Sequence, residues 1–233
     1  MKTSVSCPYC RGHHTKKRRL SYGYFCSDCR EAFREPLITE TTTGESAMNP
    51  QFSVNQHAGN QALVIDFLSQ IERPGMDSLI DYLLASDYFK APASTRFHNV
   101  FEGGLCQHSI NVTREFSKEN AKWQKPLPQD SVLICGILHD LCKVGTYKET
   151  CRGYEKVKEL PGGHAKISIS QASEFIELTP VETSIILYHM GLFGAYLDHE
   201  FTPWSMYKAI AANPIIQVFA AIDQADARHK GGI

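Results

Sequence analysis

The sequence predicts a mainly α-helical bundle carrying one short β-hairpin, preceded by a small β-rich head. Three observations lead there. Apolar residues recur at helical spacing through most of the chain beyond residue 57. Cap-plus-proline starts punctuate that stretch. The first 35 residues differ from the rest in charge and in cysteine content.

The head comes first in chain order. Residues 1–35 hold eight Lys/Arg against three Asp/Glu, and the remaining chain holds sixteen against twenty-two, although the whole is nearly neutral at −1. Four of the eight cysteines sit in the head as Cys7-Pro-Tyr-Cys10 and Cys26-Ser-Asp-Cys29, with fifteen residues between the pairs. Two such turns supply four thiolates at the spacing of a tetrahedral structural zinc site. So short a segment cannot build a sufficient apolar core, so the metal would supply its folding energy. The residues between the pairs, with a polar tip and then Tyr22, Tyr24 and Phe25, suit a short hairpin. The head therefore reads as a zinc ribbon over residues 1–35, of a kind similar to those at the front of phage and bacterial nucleic-acid proteins. Lys16, Lys17, Arg18 and Arg19 beside aromatic rings suit either contact with nucleic acid or a solvated charged face.

From Pro36 to Asn49-Pro50 the chain is polar and breaker-rich, so residues 36–56 read as a linker and 57–233 as the helical body. Leu63, Val64, Phe67, Leu68 and Ile71 predict a helix that stops at Arg73-Pro74-Gly75. Asp77 is placed to cap the next, with Leu79, Ile80, Leu83 and Leu84 on its apolar face. Thr179-Pro-Val-Glu182 combines a capping box with proline at the first helical position, and Thr202-Pro203 and Asn213-Pro214 mark two further starts. Residues 145–160 read as the hairpin. No apolar run approaches the ~18 residues of a membrane span, and Met1–His14 lacks the apolar core of a signal peptide. A cytoplasmic protein without membrane partners is expected.

The histidines and aspartates of the body fall in costly places. His108 interrupts the apolar stripe between Leu105 and Val112, His139-Asp140 follows Ile137-Leu138, His189 lies four residues past Ile185, and Asp223 four past Phe219. A carboxylate on an apolar helix face is unfavourable unless it is paired or bound to metal. Several such groups on separate helices are what a bundle gathers into a metal site. Asp226, three residues after Asp223, shares its face and is the next candidate ligand; His57, His199 and His229 are assigned to the surface.

Gly103-Gly104-Leu105-Cys-Gln-His108-Ser, then Leu138-His139-Asp140-Leu-Cys-Lys143, then a late helical Asp223 resemble the HD-domain metal-dependent phosphohydrolases over roughly residues 60–230. Ala91-Pro-Ala-Ser-Thr95 and His189-Met-Gly191 resemble further motifs of the phage and bacterial HD domain-containing hydrolases. The resemblance implies an HD-domain bundle with His108, His139, Asp140 and Asp223 as a single-metal ligand set. It implies His164 and His189 as the added ligands of the dinuclear subset, with Asp140 bridging. Lys143 matches the HDxxK lysine that stabilises phosphoryl charge, and Arg96 and His98 are candidate phosphate contacts. The chain departs from the family at His164-Ala-Lys-Ile-Ser168, where relatives often read His-Gly-Glu-Lys-Ser.

Imidazoles and carboxylates suit manganese, iron, cobalt, nickel or zinc, as one or two ions. The implied activity is cleavage of a phosphomonoester or phosphodiester of a nucleotide or nucleic acid by a metal-activated water, nuclease chemistry included. Two alternatives stand beside it. One is a mixed-valent di-iron HD-type oxygenase using the six-ligand set. The other is a nucleic-acid-binding module with a relic HD site.

Overall fold

The structure is a computed structural model. It describes the backbone of five short strands between residues 4 and 39, and then residues 50–95, 99–151, 153–157, 160, 163–196 and 199–228, with side chains from residue 58. In the head, β1 (Ser4–Ser6) pairs antiparallel with β5 (Leu37–Thr39). β2 (Thr15–Lys17), β3 (Tyr24–Cys26) and β4 (Ala32–Phe33) form a second antiparallel sheet, with Thr15 opposite Cys26. The hairpin expected between the two cysteine pairs is thus the β2–β3 pair. Cys7, Cys10, Cys29 and the side chain of Cys26 lie outside the described residues.

The interval 36–56, expected to be a linker, is partly regular. β5 lies within it, and α1 (Pro50–Ser69) begins there, since a proline without an N–H is tolerated in a first helical turn. The described part of α1 buries Val64 and Leu68, one turn apart. The chain then turns at Arg73-Pro74-Gly75 into α2 (Met76–Ala85). Asp77 does not cap this helix. The cap position is Gly75 at φ 86°, where a Cβ would lie 1.8 Å from the Phe175 carbonyl oxygen, so close backbone approach decides the residue there.

α3 (Gly104–Asn120) and α4 (Gln129–Leu138) form the centre of the bundle. They cross closely because Gly136 has no side chain: a Cβ would stand 2.2 Å from Thr113 Oγ1 and 2.8 Å from its Cα. After α4 come a 3-10 turn at Leu141–Lys143 and the hairpin β6 (Tyr147–Thr150) and β7 (Gly153–Lys156), as expected for 145–160. α5 (His164–Ser173) follows, then α6 (Pro180–Tyr188), whose capping box is formed as predicted: the Thr179 hydroxyl accepts from the Glu182 N–H, and Glu182 accepts from the Thr179 N–H. α7 (Leu192–Tyr196), α8 (Pro203–Ala212) and α9 (Ile215–Arg228) complete the described chain. Thr202 caps α8 through the Ser205 N–H, and α9 starts directly after Pro214.

Two apolar clusters flank the middle of the body. One joins α1, α2, the first half of α3 and α4 around Leu68, Leu79, Leu105 and Ile137. The other joins α3, α4, α6, α8 and α9 around Phe116, Ile185 and Phe219. In the second, the Phe116 and Phe219 rings meet edge-on at 4.9 Å, worth about 0.5–1.5 kcal/mol beyond their buried area. α3 and α4 contribute to both clusters. No helix among the described residues is long and apolar enough to cross a membrane.

Candidate metal centre

His108, His139, Asp140, His189 and Asp223 are all buried. His108 comes from the second turn of α3 and Asp223 from the middle of α9. His139 and His189 occupy the same local position, the C-cap residue of α4 and of α6. There each imidazole meets a carbonyl in the last turn of its own helix. His139 Nδ1 donates to the Gly136 carbonyl at 3.0 Å, and His189 Nδ1 donates to the Ile186 carbonyl at 2.7 Å. A carbonyl only accepts, so both rings carry their proton on Nδ1, and a neutral ring then presents a lone pair at Nε2. His108 reaches the same tautomer by another partner: its Nδ1 donates to Asp226 Oδ2 at 2.6 Å.

The three inward nitrogens converge on two carboxylates. His108 Nε2 lies 3.2 Å from His139 Nε2, 3.0 Å from Asp223 Oδ1 and 3.5 Å from Asp140 Oδ2. His139 Nε2 is 3.5 Å from both carboxylates. The ligand atoms of His108, His139 and Asp223 all fall within 4.8 Å of one another, so this group could bind a metal ion. His189 Nε2 is buried without a hydrogen-bond partner, 3.7 Å from Asp140 Oδ1. A lone pair aimed at a carboxylate needs a proton or a cation between them.

Electrostatics carry the same message. Burial alone would lower the imidazole pKa values. The Asp140 and Asp223 carboxylates outweigh it and push His139 up to about 10, and Asp223 and Asp226 raise His108. Burial would likewise raise the two carboxyls, yet Lys143 and His139 hold Asp140, and His108 and His139 hold Asp223, below the ordinary carboxylate range. A metal ion occupying this centre would take the place of those imidazole protons.

Lys143 lies one 3-10 turn beyond Asp140, with its ammonium 2.5 Å from Asp140 Oδ2. Burial would lower its pKa, but Asp140 more than compensates, so the buried charge is kept. His164, expected as a further ligand, is not in the three-residue group. It opens α5, which packs on the 3-10 turn and holds it through Ser168 Oγ accepting from the Cys142 N–H at 3.0 Å. Arg96 and His98 lie outside the described residues, as do the side chain of His57 and all of His229; His199 is exposed as expected.

Two roles were not readable from sequence spacing. Asp226 sits on the expected face of α9 but reaches the outer nitrogen of His108, and Asn111 Nδ2 donates to its second oxygen at 2.9 Å. It holds that imidazole from its outer side, away from the inward nitrogens. Asp226→Asn leaves one acceptor oxygen for two donors and removes the charge that makes the imidazole a better base. Titration with a divalent ion should show about 10–100-fold weaker binding. Glu200, buried, accepts from the Ala165 and Lys166 N–H groups and so fixes the start of α5; Gly163 leaves it the space.

Comparison of the chain with protein-family models, curated proteins and solved structures gives no match.

Proposed function

We propose that this chain is a metal-dependent phosphohydrolase of HD type, cleaving a phosphomonoester or phosphodiester of a nucleotide or nucleic acid. One observation carries the reading: three imidazoles with their outer nitrogens committed converge on two buried carboxylates, beside a buried lysine. His108, His139 and Asp223 would hold one ion, and Asp140 with His189 would take part in holding a second. A divalent ion bound there supplies a water acidic enough to ionise near neutral pH and a Lewis acid for phosphoryl oxygens.

The chain's own groups do the rest. Asp226 and the two helix-end carbonyls keep the imidazoles in the ligating tautomer. The Phe219 ring, 5.5 Å from that of His139, places an apolar wall beside the centre. Lys143 keeps a positive charge within reach of Asp140, placed to meet a phosphoryl oxygen as negative charge builds on it. Lys143→Ala is expected to lower the hydrolysis rate by about 10²–10³ while the bound metal per chain stays the same. The test is a screen of nucleotides, nucleic-acid ends and other phosphate esters against several divalent ions, with and without dioxygen. Release of phosphate or nucleotide that needs metal but not oxygen is the expected result. Turnover that requires dioxygen, with no ester cleavage under any metal, would transfer the same ligand set to oxygenase chemistry.

The head is proposed to be a four-cysteine zinc ribbon held by Cys7, Cys10, Cys26 and Cys29, offering Lys16–Arg19 to nucleic acid. The β2–β3 hairpin between the cysteine pairs supports it. A 1–40 fragment should bind about one zinc and lose its structure under strong chelation. A fragment whose circular dichroism is unchanged by the chelator would sink the assignment.

A further inference from the structure

We propose that the groove between the end of α6 and helices α7, α8 and α9 seats the nucleobase of the substrate. This rests on the phosphoester reading above, and its test does not depend on turnover. The groove encloses about 460 Å³, and its lining includes Tyr188, Gly191, Phe193, Tyr207, Gln217 and Gln224. That volume falls in the range of small-molecule sites.

Its position ties it to the metal centre. Gly191 is two residues past His189, and Gln224 directly follows Asp223 on α9. Successive helical residues point about 100° apart, so Gln224 faces the groove while Asp223 faces the ligands. The contact between the two walls is tight: Gly191 takes φ 56°, and a Cβ there would lie 2.6 Å from Gln224 Nε2. The groove and the metal centre therefore share the end of α6 and one stretch of α9.

The lining decides which part of a nucleotide belongs there. It contains no Lys, Arg, Asp or Glu among the described residues, so it offers nothing to neutralise a phosphate. The charged groups are instead at the metal side, with Lys143. What the groove offers is ring faces and two amides. Phe193 and Tyr207 are large aromatics left 54% and 51% exposed, although their chain neighbours Gly194 and Met206 are buried. Aromatic faces stack on bases whatever their identity, and a glutamine amide has both the donor and the acceptor needed to read a base edge. A flat, uncharged heteroaromatic ring with polar edges satisfies all of these at once.

The experiment is equilibrium binding of adenosine, guanosine, cytidine and thymidine to the full-length protein as purified. Nucleosides carry no phosphate, so neither metal contacts nor hydrolysis enter the measurement. At least one nucleoside is expected to bind saturably, and Phe193→Ala and Tyr207→Ala should each weaken it about 10-fold. Gln224→Leu should change the order of preference among the four. Trp204→Ala removes another exposed ring of α8 that does not line the groove, and should leave binding unchanged. Since Phe193 and Tyr207 are half exposed, their truncation is expected to leave the fold intact, which circular dichroism checks. The proposal is overturned if no nucleoside binds, or if binding ignores all three groove substitutions. It is also overturned if those substitutions instead dissociate a dimer of this chain. Nucleoside binding without any ester hydrolysis would keep the groove and sink the phosphohydrolase reading. Hydrolysis of base-free sugar phosphates without nucleoside binding would do the reverse.

Discussion

Replacing Asp140 by alanine is expected to reduce the proposed metal-dependent ester hydrolysis by about 10³-fold, the largest loss expected for any single side chain of the centre. The reason is its position. Its Oδ2 faces His108, His139 and the Lys143 ammonium, and its Oδ1 faces the orphaned Nε2 of His189. Removing it takes away a carboxylate that faces both halves of the proposed ligand set. The ion held by His108, His139 and Asp223 should survive with reduced affinity, and the ion that involves His189 should be lost. Metal analysis of wild type and variant should therefore differ by about one ion per chain in the body. The substitution also leaves the Lys143 ammonium buried without its carboxylate, so stability must be read separately. Asp140→Asn keeps the shape and is the control. If Asp140→Asn folds, retains all its metal and hydrolyses at the wild-type rate, Asp140 is a structural partner of Lys143 and nothing more.

The candidate ligands are legible in the sequence to different depths. His108, His139, Asp140, His189 and Asp223 can be singled out because polar groups interrupt apolar helical stripes, and burial of such groups is costly enough to need a reason. What the stripe does not contain is the end of the helix. His139 and His189 are C-cap residues, and their tautomers are set by carbonyls three residues back, in the last turn of each helix. Reading that requires knowing to within one residue where α4 and α6 stop, the least certain feature of a periodicity argument. Asp226 shows the same limit in another form. Its face follows from helical spacing, but whether its oxygen meets an ion or the far nitrogen of an imidazole depends on a distance that spacing does not contain. Asp77 does not cap α2 for a similar reason: the approach of Phe175, a hundred residues away in sequence, reserves the position before α2 for glycine. The Thr179–Glu182 capping box, the Thr202 cap and the hairpin are local, and local pattern suffices for them.

Glu182→Ala should destabilise the body by about 3 kcal/mol in urea unfolding, the low end of what breaking a buried ion pair costs, because Arg73 keeps some solvent contact. Sequence pattern identifies Glu182 only as half of a capping box. In the fold its fully buried carboxylate takes a bidentate pair from Arg73 at 2.8 and 2.9 Å, the Ser131 hydroxyl at 2.7 Å and the Thr179 N–H at 2.8 Å. Ser131 is in the first turn of α4 and Glu182 in the first turn of α6, while His139 and His189 cap the other ends with rings 5.1 Å apart. The two helices therefore run side by side in the same direction, tied at one end by Glu182 and meeting at the candidate metal centre at the other. Burial alone would raise the Glu182 pKa, but the bonds from Arg73, Ser131 and Thr179 lower it below its ordinary 4.5. A depressed carboxyl contributes stability that is present above the unfolded value and is lost as pH falls through the folded one. The acid limb of the wild-type stability curve should accordingly fall below about pH 4.5, and Glu182→Gln, which keeps the shape without the charge, should flatten it. Because the clamp sets the register of α4 against α6, both variants should also weaken binding of the ion that involves His189 more than that of the ion between His108, His139 and Asp223. Equal weakening of the two, or none, would separate the clamp from the centre and leave Glu182 a stabilising group alone.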